Sequence, residues 1–284
     1  MKAHTLGGKL LPFTGRRAVE RASDDALFAD VAGGETGPLC ELFYRYGDRV
    51  RRVLAQTGAL DDSTLDEAVL LSFLEVYRLA ARCSGDTKVS SWIVAVALEA
   101  TRTDGHATAR RGVTGTGSWA GRGGQRPRRA PRVPALAALP LSWRLALVLV
   151  DGEGVKIPDV AFVLGCTERA AWRRLDKAHR RLQTASADGA RRQSPSRVRR
   201  FLRTGRLCPA GWKLTRAVCE DLDPRMGWHL SGCADCEREY VSLLSLTARL
   251  SMLSSRGTMT DASRARVAAL LLAANRPATL VDAT

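Results

Sequence analysis

An all-α fold is predicted for this 284-residue chain by three observations. Apolar residues recur at three- and four-residue intervals along most of its length. No segment alternates apolar and polar residues as a half-buried strand would, and no tandem repeat is present. Two arginine-rich tracts without apolar periodicity cut the periodic segments into three lobes. Residues 105–134 carry seven Arg and no acid, and residues 184–206 carry seven Arg and one Asp. These tracts hold +7 and +6 of the net +15, so the lobes themselves are nearly neutral. Both are rich in Gly, Pro, Ser and Ala and read as flexible linkers that favour phosphate backbones without reading sequence. The expected division is a disordered N-terminus at 1–21, a helical bundle at 22–110, a linker at 111–134, a helix-turn-helix at 135–184, a second linker at 185–206, and a C-terminal helical metal-binding domain at 207–284.

In the first lobe, LCELFYRYGDRVRRVLAQTG puts Leu39, Leu42, Phe43, Tyr46, Val50, Val53 and Leu54 on one stripe, closed by Gly58. The next segment opens on a box-like Ser63-x-x-Asp66 and runs apolar through Val69, Leu70, Phe73, Val76, Tyr77 and Ala80. A third helix carries Trp92, Val96 and Ala100 on one face and is expected to end at Gly105. No grouping of acids, His and nucleophiles suggests catalysis.

The second lobe reads more sharply. Gly152 and Gly154 break a helical pair, Pro158 opens a short helix that stops at Gly165, and Thr167 caps a strongly basic one. That is the helix-turn-helix form, with Val160, Leu164, Ala171 and Leu175 as core and Ala161 and Gly165 small at the crossing. Arg169, Trp172, Arg173 and Asp176 are expected to point outward. Arg169 and Arg173 suit bidentate reading of guanine, while Arg174 and Lys177 suit phosphate.

The third lobe contains HLSGCADC, in which His229, Cys233 and Cys236 have the spacing of metal ligands. Zinc takes such sets tetrahedrally and requires a fourth donor, for which Cys208 and Cys219 are the candidates. A closed set of this kind leaves no coordination position for catalysis. Cys40, Cys83 and Cys166 lie in apolar patterns and read as core residues; an odd total of seven cysteines argues against a disulfide framework.

The remaining composition excludes other classes. The chain is 45% hydrophobic and 26% charged, and its longest apolar runs, LALVLV and VAALLLAA, are too short to span a bilayer. No signal peptide is evident, so a cytoplasmic location without membrane contact is expected. His4, His106, His179 and His229 are scattered and no phosphate-cradling Gly loop occurs. No catalytic residue, small-molecule substrate or enzymatic activity is expected.

With these motifs in hand, the first two lobes resemble an extracytoplasmic-function sigma factor. LCELFYRYGDRVRRVL and DEAVLLSFLEVYRLAARCSGD are similar to helices of its region 2, the latter to the helix that grips the polymerase clamp. SSWIVAVALEATR is similar to the helix that opens the −10 element, and residues 135–183 to region 4, which reads the −35 element. The resemblance implies core RNA polymerase and promoter DNA as partners, with Glu67, Leu70 and Phe73 on the polymerase-binding helix. Leu70 stands where the family usually has Gln. The melting helix reads Val94, Ala95, Leu98 and Glu99 where Arg and Asn are usual, with only Arg102 basic. Those departures keep a second expectation open, a regulatory interaction protein that binds polymerase or another sigma without initiating.

The third lobe resembles the zinc-binding anti-sigma domain. Its Leu222-Asp223-Pro224 junction matches that domain's second helix start, which puts Cys208 in the fourth ligand position and Cys219 within the first helix. Such domains grip sigma regions 2 and 4, and here the tether is about twenty residues, short enough for an effective concentration in the millimolar range. An intramolecular contact with the sigma lobes is expected, resting on apolar positions such as Val241, Leu244 and Leu250 rather than on charge.

Overall fold

A computed structural model describes residues 21–57, 62–83, 87–111, 134–185, 208–254 and 257–274. Every regular element among them is helical. The expected disordered N-terminus, most of both linkers and the Ser63 side chain lie outside the described residues.

The first lobe has four helices. α1 (Asp24–Ala32) was not anticipated, although Ser23 marks its start: its hydroxyl accepts from the Ala26 N–H at 3.2 Å. α2 (Gly37–Ala55) buries Leu39, Leu42, Phe43, Val50, Val53 and Leu54, the stripe read from the sequence. α3 (Asp62–Leu79) ends in a 3₁₀ turn at Ala80–Arg82, and α4 (Val89–Arg111) follows. Phe43 meets Phe73 edge-on with ring centroids 5.4 Å apart, and Phe28 meets Trp92 at 5.0 Å. α4 does not stop at Gly105. It continues to Arg111, so the helix runs past the expected end at Gly105 and one residue into the expected 111–134 linker. A glycine costs a helix only about 1 kcal/mol, which well-paired neighbours can offset.

In the second lobe, α5 (Pro134–Ala137) and α6 (Leu141–Leu147) lead into a π-turn at Val148–Gly152. Gly154, at φ 64°, ends it. α7 (Ile157–Val163) has Pro158 in its first turn and stops before Gly165, at φ 57°. The Thr167 hydroxyl then accepts from the Ala170 N–H at 3.3 Å and starts α8 (Glu168–Ala185).

The third lobe contributes α9 (Gly211–Cys219), α10 (Pro224–Ser231), α11 (Ala234–Ser254) and α12 (Asp261–Ala274). Asp223 caps α10 by accepting from the Arg225 N–H at 3.0 Å. Its metal-type end has a small core of its own: Cys208, Leu214, Leu230, Cys233, Cys236 and Leu243.

The buried side chains of the first two lobes form one continuous cluster, joined by Leu246, Leu250, Met259, Val267, Ala268 and Leu271 of the third. α4 packs on α7, α9 on α8, and α11 on the π-turn. Polar links cross the same boundaries. Arg52 and Arg49 hold Glu153, Lys88 Nζ donates to Asp159 at 2.7 Å, and Arg144 Nη1 donates to the Gln56 carbonyl at 2.7 Å. The contact surface therefore differs from expectation. Leu250 is buried, but Val241 and Leu244 are 53% and 41% exposed, because α11 turns Leu243, Leu246 and Leu250 inward instead. Charge also takes part, through Arg180–Glu239 and Arg264–Asp48 pairs. No described helix is long and apolar enough to cross a membrane.

Candidate functional site

Cys208, His229, Cys233 and Cys236 converge from three places in the third lobe. Cys208 precedes α9, His229 occupies the last turn of α10, and Cys233 and Cys236 flank the first turn of α11. One ligand atom from each lies within 4.8 Å of all the others. The Cys208 and Cys233 sulfurs are 3.9 Å apart, and His229 Nε2 is 3.3 Å from Cys236 Sγ. A tetrahedron with zinc–sulfur bonds of 2.3 Å and a zinc–nitrogen bond near 2.0 Å has edges of about 3.8 Å and about 3.5 Å, so the donor set fits that ion. The three thiols are buried and the imidazole half-buried. Burial, reinforced by Cys233 and Cys208, pushes the Cys236 thiol up to about 12. Burial acts upward on Cys233 as well, but hydrogen bonds from Cys236, Cys208 and Asp235 hold it below its ordinary value.

Cys219 stands apart. Its sulfur lies 4.0 Å from an Asp151 carboxylate oxygen, and burial together with Asp151 and Glu220 drives its pKa strongly upward. The other Asp151 oxygen meets His179 Nε2 at 2.6 Å, inside the boundary between α8 and the third lobe.

On α8, Arg169, Arg173 and Lys177 are exposed and Arg174 is half-buried. Lys177 rests over the Trp143 ring at 5.5 Å. Trp172 is a correction: only 4% exposed, it faces the core with Ala171, Leu175, Ala178 and Leu182, because this helix buries a stripe wide enough to include it. Asp176 does not point to solvent either. It accepts from Arg180 Nε at 3.1 Å and from the Thr215 hydroxyl at 3.4 Å on α9.

Along α3, Glu67 is exposed and Leu70 half-buried. Phe73 is again a correction: it is fully buried against Phe43, so it supports the helix from beneath rather than presenting a surface. Val94 and Leu98 on α4 are buried and Glu99 is exposed; the Arg102 side chain lies outside the described residues.

Two curated relatives decide the family. Both are ECF RNA polymerase sigma factor SigM, from the Erdman and H37Rv strains of Mycobacterium tuberculosis, each 30% identical over 175 residues. The match spans 60% of this chain and 86% of each relative.

The chain belongs to the ECF sigma factor family.

Among solved structures, this ECF sigma factor is similar to CnrH in complex with the cytosolic domain of CnrY, at 19% identity and a TM-score of 0.44, covering 57% of this chain and 96% of that one. It is also similar to RpoE in complex with the anti-sigma factor NepR from Bartonella quintana, at 15% identity and a TM-score of 0.37, covering 48% and 88%. No family model matches the chain.

Sequence reasoning missed the residues that tie this sigma factor's lobes together. Glu153, Asp48 and Asp151 each meet a partner from another lobe: Arg52, Arg264 and Cys219. No local spacing marks them. The one available hint was Glu153, an acid set between two glycines in DGEG.

Proposed function

We propose that this protein binds core RNA polymerase in the cytoplasm, directs it to promoter DNA, and is regulated by its own zinc-binding C-terminal lobe. The observation that carries the reading is the four-donor cluster on a lobe packed directly against α8, added to a chain of the ECF family. Zinc held by Cys208, His229, Cys233 and Cys236 fixes the fold of the third lobe, and with all four positions filled by protein it activates no water. Arg169 and Arg173 read base edges, while Arg174 and Lys177 neutralise phosphate. Glu67 and Leu70 meet the polymerase. The packing of all three lobes supports a closed, autoinhibited resting state, because α12 of the third lobe packs on α3 and α9 packs on α8.

A second reading is favoured by one feature, the apolar α4. Val94 and Leu98 are buried where cations would serve unpaired DNA, and α4 packs on α7. In that reading the chain binds polymerase or another sigma factor without initiating. Reconstitution with core polymerase and genome-wide mapping of transcript starts separates the two. Start sites dependent on this chain support initiation, while binding without new starts supports the second reading.

A further inference from the structure

The third lobe covers one half of α8 and leaves the other half open. The polar contacts that seat it there fall on residues 176 to 183. Asp176 accepts from the Thr215 hydroxyl of α9 at 3.4 Å, Arg180 lies 3.7 Å from the Glu239 carboxylate on α11, and the Gln183 amide donates to the Ser242 hydroxyl at 3.2 Å. Gly211, the first residue of α9, brings backbone against the same turn. A Cβ there would stand 2.9 Å from an Asp176 oxygen and overlap the Arg180 guanidinium. Cys219 closes the seat at the other end of α9, its sulfur 4.0 Å from Asp151.

The opposite end of the helix-turn-helix stays exposed with the third lobe in place. Gly165 and Thr167 in the turn, and Glu168, Arg169 and Arg173 at the start of α8, are all exposed. A helix-turn-helix reads base edges through the N-terminal residues of its second helix. The residues suited to reading DNA are therefore those the third lobe leaves alone. Distance along the helix makes the two uses compatible. Arg169 and Arg180 are separated by about 16 Å at 1.5 Å per residue, and the major groove is about 12 Å wide, so Arg180 stays outside the groove when Arg169 enters it.

We infer that the closed protein binds duplex DNA sequence-specifically by itself, through Arg169 and Arg173, without polymerase and without release of the third lobe. Closure then blocks recruitment of polymerase but not occupancy of the DNA site, and the chain waits on its site for the signal that opens it. This rests on the reading of α8 as the base-reading helix; what it adds is that DNA and the third lobe hold α8 at the same time.

Selection from a randomised duplex library against the full-length protein alone tests it. Titration of the enriched duplex follows, with maleimide labelling of Cys219 read by peptide mass spectrometry. One duplex sequence is expected to be enriched, and Arg173→Ala is expected to weaken its binding about tenfold. Cys219 is expected to label at the same rate with and without the duplex. Faster Cys219 labelling in the complex would overturn the inference, because DNA would then be displacing the third lobe. Enrichment that Arg173→Ala leaves unchanged would move the binding site off α8. Failure to enrich any duplex would also sink the idea, and the full-length double variant G211V/E239R, altered only on the third lobe, then separates the causes. Enrichment by that variant alone keeps base reading on α8 and makes the third lobe the obstruction. No enrichment by either chain removes base reading from α8 as well.

Discussion

Arg52 donates through Nε and Nη2 to the two carboxylate oxygens of Glu153, at 2.5 Å and 2.9 Å, across the boundary between the first and second lobes. Arg49 adds a third contact at 3.3 Å, and the Glu153 side chain is only 4% exposed. A carboxylate so enclosed depends on its arginines, and they hold the two lobes in one arrangement.

Replacing Glu153 with Ala removes the carboxylate that two guanidinium groups share, and leaves Arg49 only the residue-153 carbonyl as acceptor there. A loss of about 1–3 kcal/mol is expected, below the value for a fully buried pair because both arginines keep some access to water. Urea unfolding measures it. The variant is also expected to separate the first two lobes, seen as a larger radius of gyration in small-angle scattering.

Metal content tests the site. About one zinc per chain is expected, lost in Cys208→Ser and retained in Cys219→Ser, by elemental analysis of dialysed protein. Retention in the first with loss in the second would make Cys219 the ligand, against its position beside Asp151.

On α8, neighbouring residues should behave oppositely. Arg169→Ala or Arg173→Ala is expected to cost about 1–3 kcal/mol in binding a specific promoter fragment, with stability unchanged. Trp172→Ala is expected to destabilise the protein by about 3–5 kcal/mol, since a buried indole leaves a cavity. Equal weakening of specific and random DNA by Arg169→Ala would remove base reading from this helix.

Helix positions were legible where capping and apolar spacing agreed. Thr167, Asp223 and Gly165 marked boundaries that the structure keeps. Which face a side chain takes was less legible. Trp172 and Phe73 carry no charge to oppose burial, so a helix face read as outward could equally turn in, and the packing of neighbouring helices decided it. The four metal-type donors were legible because their chemistry is local to one lobe. Asp48 and Arg264 were not, because 216 residues separate them and only tertiary packing brings them together.

Cys40 gives a pH signature. Burial raises its thiol from 9.0 to about 11. The folded state thus keeps the thiol protonated where the unfolded chain ionises it, so its contribution is fully present below pH 9 and lost as pH rises through 11. Stability should fall by up to about 1.4 kcal/mol per pH unit across that window. Comparison with Cys40→Ala isolates the effect from other titrating groups, and the variant should show the shallower slope.

The central claim is that the third lobe holds a sigma factor closed. Titrating core RNA polymerase with the full-length chain, with chelator-treated full-length chain, and with a chain ending near residue 185 tests it most directly. Tighter binding by the truncated and the chelated forms is the result expected. Equal affinity for all three would contradict autoinhibition, and weaker binding by the truncated form would make the third lobe a docking element for polymerase instead.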